Sequence, residues 1–261
     1  MIFLAHHCYK TIKQNTLFIL ISLINHYSSY MKKLVISSGA GISAESGITT
    51  FRDAGGLWEN YPVMKVASAD GFRENPALIH EFYNNRRDQL QSAQPNAAHL
   101  ILKELEKDFD VQVITQNVDN LHEKAGSSKV LHLHGELMKV RSMKNPNRIY
   151  ELKEPNLHTS IDTRDEYGDP VRPHIVFFQE DVPNFQPAVE LAQEADIFVV
   201  IGTSLVVYPA ASLLYYVRPG IPIFYIDPNP AQVPSDRNIT VIPQKATEGM
   251  AELAALLKDY K

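Results

Sequence analysis

Leu34-Val35-Ile36 is a wholly apolar run that gives way, after two serines, to Gly39-Ala40-Gly41. A short strand buried on both faces and ending in small residues is how a nucleotide-binding α/β unit opens. The pattern recurs: apolar runs stand at 111–114, 196–202 and 222–227. Helical periodicity is predicted at 97–107, 187–195 and 250–258. Alternating buried strands and helices imply an α/β fold, a doubly wound, Rossmann-like parallel sheet covered on both faces. Ligands of such sheets bind at the carboxyl ends of the strands. Gly39, Thr115, Gly202 and Asp227 each follow a run and are therefore predicted to line one crevice.

Two stretches interrupt the alternation. Residues 67–90 read as a helical insertion, and residues 136–172, polar and punctuated by proline, as a small inserted module. The main domain is predicted to span 31–261. Ahead of it, the apolar stretch at 17–24 is shorter than the ~20 residues a membrane span needs. No small-residue cleavage pattern follows it. Residues 1–30 are therefore expected to be an upstream extension or a mis-assigned start before Met31, with a signal or anchor as the alternative.

A hydrophobic content of 44% against 21% charged residues permits a packed core. A net charge of −5 disfavours a basic nucleic-acid binder. The single cysteine, Cys8, excludes an internal disulfide and any multi-cysteine zinc site, and fits a cytoplasmic location. No nucleic-acid or membrane partner is expected, and the sequence assigns no oligomeric state.

Gly39-Ala40-Gly41 alone is a weak signal. Small residues let backbone amides approach a phosphate, and the helix that follows adds partial positive charge. A plain turn explains such a triplet equally well, and the third glycine of the usual dinucleotide fingerprint is missing. The continuation is more specific: Ile42-Ser43-Ala44-Glu45-Ser46-Gly47-Ile48-Thr49-Thr50-Phe51-Arg52. Later come Thr115-Gln116-Asn117-Val118-Asp119-Asn120-Leu121-His122, then Leu133-His134-Gly135, then Gly202-Thr203-Ser204-Leu205-Val206-Val207-Tyr208-Pro209-Ala210.

With these four motifs in this order, the chain from about Lys32 onward resembles the sirtuins, the NAD-dependent protein deacylases. The resemblance implies an NAD site. Gly39, Ala40, Gly41, Phe51 and Arg52 would hold the phosphates and nicotinamide ribose, and Gln116, Asn117 and Asp119 the surroundings of the ribose and nicotinamide. Gly202, Thr203, Ser204, Asp227 and Ala246 fall on the rest of the cofactor site, with Gly202-Thr203-Ser204 at the adenosine side. His134 matches the catalytic histidine, assisted by Asn117 and Asp119. Val207, and the stretch at 172–180 that contains Val176 and Phe178, match the two edges of the acyl-lysine peptide cleft. The implied reaction joins the acyl oxygen to the anomeric carbon of NAD as nicotinamide leaves. His134 then helps to deprotonate a ribose hydroxyl, and water releases lysine and O-acyl-ADP-ribose. Taken alone, His134 would be a satisfied core histidine; its Leu-His-Gly context makes it catalytic. A neutral imidazole with a pKa near ~6.5 is suited to accept that proton. His99, His122 and His132 receive no catalytic role.

Tyr83 and Arg86 stand three positions apart, so a helix puts them on one face. A phenol and a guanidinium fork there can grip a carboxylate. This resembles the sirtuin branch that removes succinyl, malonyl or glutaryl groups, and the small Ala67 leaves room for a longer acyl chain. The bland alternative is a surface helix with a solvated Arg86-Arg87 pair. The expected partners are acyl-lysine proteins or peptides.

The chain departs from the family where two Cys-x-x-Cys pairs normally bind zinc. Ser142 and Asn145, then Arg164 and Tyr167, fall on those positions. No thiolate is available, and His158 and His174 lack ligand spacing, so no zinc is expected. The module is instead expected to rest on Leu137, Val140, Ile149, Leu152 and Val171. Thr49, Gln179 and Asp227 stand where proline, glycine and asparagine are usual; Gln179 is expected to narrow or alter the peptide cleft. Two other functions remain open: an ADP-ribosyltransferase or NAD glycohydrolase, and a non-catalytic NAD or ADP-ribose sensor.

Overall fold

The computed structural model describes residues 31–49, 57–58, 61–234 and 236–261. The expectations for residues 1–30, Phe51 and Arg52 fall outside the described residues.

Strand β1 (Lys33–Ser38) leads into the short helix α1 (Gly41–Ala44). Two-residue strands β2 (Leu57–Trp58) and β3 (Tyr61–Pro62) precede helices α2 (Val63–Val66), α3 (Ala69–Glu74) and α4 (Pro76–Ser92). Helix α5 (Ala97–Leu105), strand β4 (Asp110–Thr115), helix α6 (Leu121–Lys124) and strand β5 (Val130–His132) follow. Strands β6 (Gly135–Ser142), β7 (Ile149–Glu151) and β8 (Val171–Ile175) come next. The chain closes with α7 (Phe185–Glu194), β9 (Ile197–Ile201), α8 (Leu213–Tyr216), β10 (Ile223–Ile226), β11 (Ile239–Ile242) and α9 (Ala246–Leu256).

Six strands form one parallel sheet in the order β11-β10-β9-β1-β4-β5. Side chains alternate across it. Leu34 and Ile36 join Leu102, Met250 and Leu253 on the face covered by α5 and α9. Val35 joins Phe198, Ala188 and Val189 on the opposite face, under α7. β1 pairs with β4 on one side and β9 on the other, Ser38 standing opposite both Thr115 and Ile201. The winding direction reverses at β1 and β9, and the crevice outside their carboxyl ends is where such a sheet takes its ligand.

The sheet is wider than the sequence indicates. β5 has three residues and β11 is partly exposed at the edge, so neither reads as a buried apolar run. The insertion expected at 67–90 is three helices over 63–92, broken where Ser68 caps α3 and Asn75 caps α4 ahead of Pro76. Helix α7 begins before Pro187, because a proline in the first turn removes no intrahelical hydrogen bond. Helix α9 starts at Ala246 and ends at Leu256, followed by a 3-10 turn.

The stretch at 135–175 carries a three-stranded antiparallel sheet, β7-β6-β8. Leu137 and Ile175 pack with Phe177, just after β8, and with Ile79, Phe82 and Tyr83 of the helical insertion. Val140 and Val171 are buried, as expected. Ile149 is not: it is 45% exposed, because β7 is a three-residue edge strand with no layer over that face among the described residues. Leu152 is half-buried. No described helix is long and apolar enough to cross a membrane.

Candidate active site

The carboxyl ends of β1, β4, β9 and β10 open into a cavity of about 800 Å³. Every candidate residue among the described ones lines it: Gly39, Ala40, Gly41, Gln116, Asn117, Asp119, His134, Gly202, Thr203, Ser204, Asp227 and Ala246, and on the substrate side Ala67, Tyr83, Arg86, Val176, Phe178 and Val207.

Its floor is backbone packed on backbone. The Gly39 amide donates to the Ile201 carbonyl at 2.9 Å and the Gly41 amide to the Gly202 carbonyl at 2.8 Å. A Cβ on Gly41 would sit 2.6 Å from the Gly202 Cα. Gly202 itself has φ +64, and a Cβ there would meet the Ile42 nitrogen at 2.4 Å. Both positions demand glycine. The result is a side-chain-free cradle at the start of α1, suited to the close approach of a phosphate-bearing dinucleotide.

The loop after β4 is tied to this cradle. Asn117 Nδ2 donates to the Gly39 carbonyl at 3.2 Å and to Ser43 Oγ at 3.1 Å. Ser43 Oγ donates to Asp119 Oδ2 at 3.0 Å, while the Leu121 amide donates to Asp119 Oδ1 at 3.1 Å. Burial pushes the Asp119 carboxyl above its ordinary value, and those two donors oppose the shift. Gln116 Nε2 reaches Thr203 Oγ1 at 3.3 Å, joining the loop to β9. Sequence reasoning missed Ser43 as a site residue. Its signal was position, one turn into the helix that follows the glycines.

His134 follows β5. Its Nδ1 lies 3.0 Å from the Gln116 carbonyl. A carbonyl only accepts, so Nδ1 holds the proton and Nε2 keeps a lone pair. Burial lowers the pKa of His134 and favours the neutral ring.

On the substrate side, the Phe178 amide donates to the Ala67 carbonyl at 2.8 Å and the Ala69 amide to the Phe178 carbonyl at 3.1 Å. Gln179 sits at φ +75, and its side chain bonds Asp70: Nε2 donates to Oδ2 at 2.7 Å, and Oε1 accepts from the Asp70 amide at 3.2 Å. Tyr83 is fully buried, stacked on Phe177 with centroids 6.1 Å apart, and among the described residues its hydroxyl has no hydrogen-bond partner. Arg86 is 6% exposed and Arg87 0%. The solvated-pair alternative is therefore wrong. Arg87 is an anchor, donating to the Leu137 carbonyl at 2.8 Å and to Asn84 Oδ1 at 2.7 Å. Arg86 turns to the cavity.

The four positions that would carry zinc thiolates hold other chemistry. Arg148 donates to Ser142 Oγ at 3.0 Å, forms an ion pair with Asp169, lies 3.4 Å from Asp165, and stacks over the Tyr167 ring at 4.4 Å. Arg164 caps the carbonyls of Ile161 and Thr163. The Asn145 amide donates to Ser142 Oγ at 3.4 Å. A hydroxyl, a carboxamide, a guanidinium and a phenol at the four positions do not fit zinc.

The Sir2 family profile matches residues 39–209. An NAD-dependent protein deacylase of Bacteroides thetaiotaomicron is 54% identical over 230 residues, 87% of this chain and 98% of that protein. One of Helicobacter pylori strain J99 is 51% identical over 223 residues, 85% of this chain and 94% of that protein. Among solved structures, a Sir2 homologue in complex with NAD matches with a TM-score of 0.78 at 37% identity, over 88% of this chain and 91% of that one. An ADP-ribose complex of a Sir2 homologue variant has a TM-score of 0.78, over 89% of this chain and 94% of that one.

Proposed function

The chain belongs to the Sir2 family, and from that premise we propose that it is a lysine deacylase that takes acyl groups ending in a carboxylate, succinyl and malonyl, as well as acetyl. One observation carries the acidic-acyl reading: the Tyr83 hydroxyl and the Arg86 guanidinium are buried side chains on one face of α4, and both line the cavity that His134 lines. A buried phenol hydroxyl without a hydrogen-bond partner is costly unless a ligand satisfies it. A carboxylate does so, and the arginine supplies the opposing charge.

The glycine cradle and the polar groups of Gln116, Asn117 and Asp119 suit NAD. Bound there, NAD supplies the electrophilic anomeric carbon and the ribose hydroxyls. Asn117 and Asp119 orient the ribose, held in turn by Ser43. His134 accepts a proton at Nε2, with its tautomer set by the Gln116 carbonyl. The edge at 176–178 and Val207 bracket the peptide, placing the acyl-lysine between them. Structural zinc has no part in this reading, since Ser142, Asn145, Arg164 and Tyr167 supply no thiolate. The substrates are acylated proteins, and the location is cytoplasmic.

The test incubates the protein with NAD and with succinyl-, malonyl-, acetyl- and unmodified lysine peptides, and identifies products by mass spectrometry. Nicotinamide, free lysine peptide and O-acyl-ADP-ribose are expected, with acidic acyl peptides the better substrates. ADP-ribosylated peptide, or ADP-ribose without peptide turnover, would replace deacylation by transfer or glycohydrolysis. NAD binding with no product would leave a sensor.

A further inference from the structure

His132 and His134 flank Leu133, and each ring reaches one of two successive carbonyls in the loop after β4. His132 Nδ1 lies 2.9 Å from the Asn117 carbonyl, and His134 Nδ1 lies 3.0 Å from the Gln116 carbonyl. Both Nδ1 atoms must donate. The rings differ at the second nitrogen. His132 Nε2 lies 2.8 Å from Glu123 Oε1 of α6. A carbonyl and a carboxylate only accept, so His132 faces acceptors at both nitrogens and satisfies them by carrying two protons.

We infer that Glu123 and His132 form a charged positioning pair that pins the Asn117 carbonyl, and through it the Gln116–Asn117 segment that receives the ribose and orients His134. The inference rests on the deacylase reading. A neutral His132 has one proton to share between its two nitrogens. Whenever that proton moves to Nε2, the Asn117 carbonyl is released. The carboxylate removes this choice, because an imidazolium donates at both ends at once.

The surroundings agree. The His132 side chain is 6% exposed and that of Glu123 40%. Burial works against the charge on His132, but the hydrogen bond and charge of Glu123 and the Asn117 carbonyl outweigh it, and the pKa is raised. Burial likewise works against the Glu123 carboxylate, and His132 outweighs it, lowering that pKa. The other titratable groups facing the pair among the described residues are Glu136 and Lys139 of β6, themselves joined at 2.7 Å, together with Asp119, His122 and His99 of α5. Asn184, just ahead of α7, donates to the His132 carbonyl at 2.7 Å and fixes the backbone that carries the ring. Two histidines on one short segment thus hold opposite protonation states: His132 charged for position, His134 neutral for chemistry.

With a raised folded-state pKa, the pair is intact at low pH and lost as pH rises through that pKa. The experiment is ring ¹⁵N NMR of the intact protein, with NAD affinity measured by calorimetry from about pH 6 to about pH 9. At about pH 6.5, where a free imidazole is half charged, His132 is expected to be protonated mostly at both nitrogens and His134 mostly at Nδ1 only. Glu123→Gln alters a half-exposed side chain and should not disturb folding. It is expected to strip the second proton from His132 at that pH and to weaken NAD about fivefold. His132→Phe is expected to weaken NAD at least as much and to abolish the alkaline loss. A singly protonated His132 in the wild type, or unchanged NAD affinity in Glu123→Gln at every pH, would overturn the inference. NMR and NAD binding do not depend on turnover, so the positioning pair can hold in a protein that removes no acyl group. Conversely, deacylation can proceed with a neutral His132, and then only the positioning role fails.

Discussion

Ser43 Oγ lies 3.0 Å from Asp119 Oδ2 although the two residues are 76 positions apart. The same hydroxyl accepts from Asn117 Nδ2 at 3.1 Å. One serine thereby joins the glycine cradle after β1 to the polar loop after β4, and both Asn117 and Asp119 depend on it for orientation.

Ser43→Ala should leave Asn117 Nδ2 with the Gly39 carbonyl alone and raise the Asp119 pKa further, since burial then faces one donor fewer. A lost hydrogen bond to a charged group is worth ~1.5–3 kcal/mol, so kcat/KM for NAD should fall between about tenfold and a hundredfold. Steady-state kinetics with NAD varied, beside a melting curve, separates this from loss of fold; unchanged kinetics would remove Ser43 from the site.

The base proposed at His134 must be neutral to accept a proton. Burial lowers its pKa, so the acid limb of kcat/KM should lie below the ordinary histidine value of about 6.5. Activity is expected to persist through pH values at which a free histidine is half charged, and to fall as pH drops through the lowered pKa. His134→Tyr should abolish acyl removal with the melting temperature retained. A pH–rate profile of the wild type checks the first expectation and turnover by the variant checks the second; near-normal turnover would exclude His134 as the base.

Arg86→Met keeps the aliphatic stem and removes the charge and the fork. Losing a charge-assisted contact to an acyl carboxylate should cost ~2–3 kcal/mol, close to a hundredfold in kcat/KM for succinyl peptide. Acetyl-peptide turnover should change little, because acetyl has no carboxylate to lose. Parallel assays of the two peptides read the difference, and equal losses on both would make Arg86 a structural residue.

Arg148→Met should loosen the stretch at 135–175, because Asp165 and Asp169 lose their cation and Ser142 loses one of its donors. Hydrogen exchange should quicken in the 142–170 loops with β1 and β9 unaffected. Elemental analysis of the wild type should find no stoichiometric zinc, and a chelator should leave its activity unchanged. Bound zinc, or activity lost to chelator and restored by zinc, would contradict this account.

What could be read from the chain depended on which interactions are local. Leu34-Val35-Ile36 ending at Gly39, and Ile197-Phe198-Val199-Val200-Ile201 ending at Gly202, are legible because a strand buried on both faces must be continuously apolar. β5 and β11 escaped because edge strands need only one covered face, and β6 because its buried positions alternate with half-exposed ones. Ile149 was misjudged for a related reason: its apolar character says nothing about whether a layer lies above it.

By itself the sequence determined the strand–glycine units, and hence a parallel sheet with its ligand crevice at the carboxyl ends. It also determined the residue types that can serve there, among them the histidine after β5 and the Tyr83–Arg86 spacing. Tertiary structure decided how those groups are poised. It settled that Arg86 faces the cavity while Arg87 holds the Leu137 carbonyl, and that Ser43 bridges to Asp119. It also separated His132, held between two acceptors, from His134, whose Nδ1 alone meets an acceptor among the described residues. The physical reason is that protonation and hydrogen-bond roles follow from burial and from which acceptors face a ring, and these partners come from segments far apart in the chain that only the packed sheet brings together.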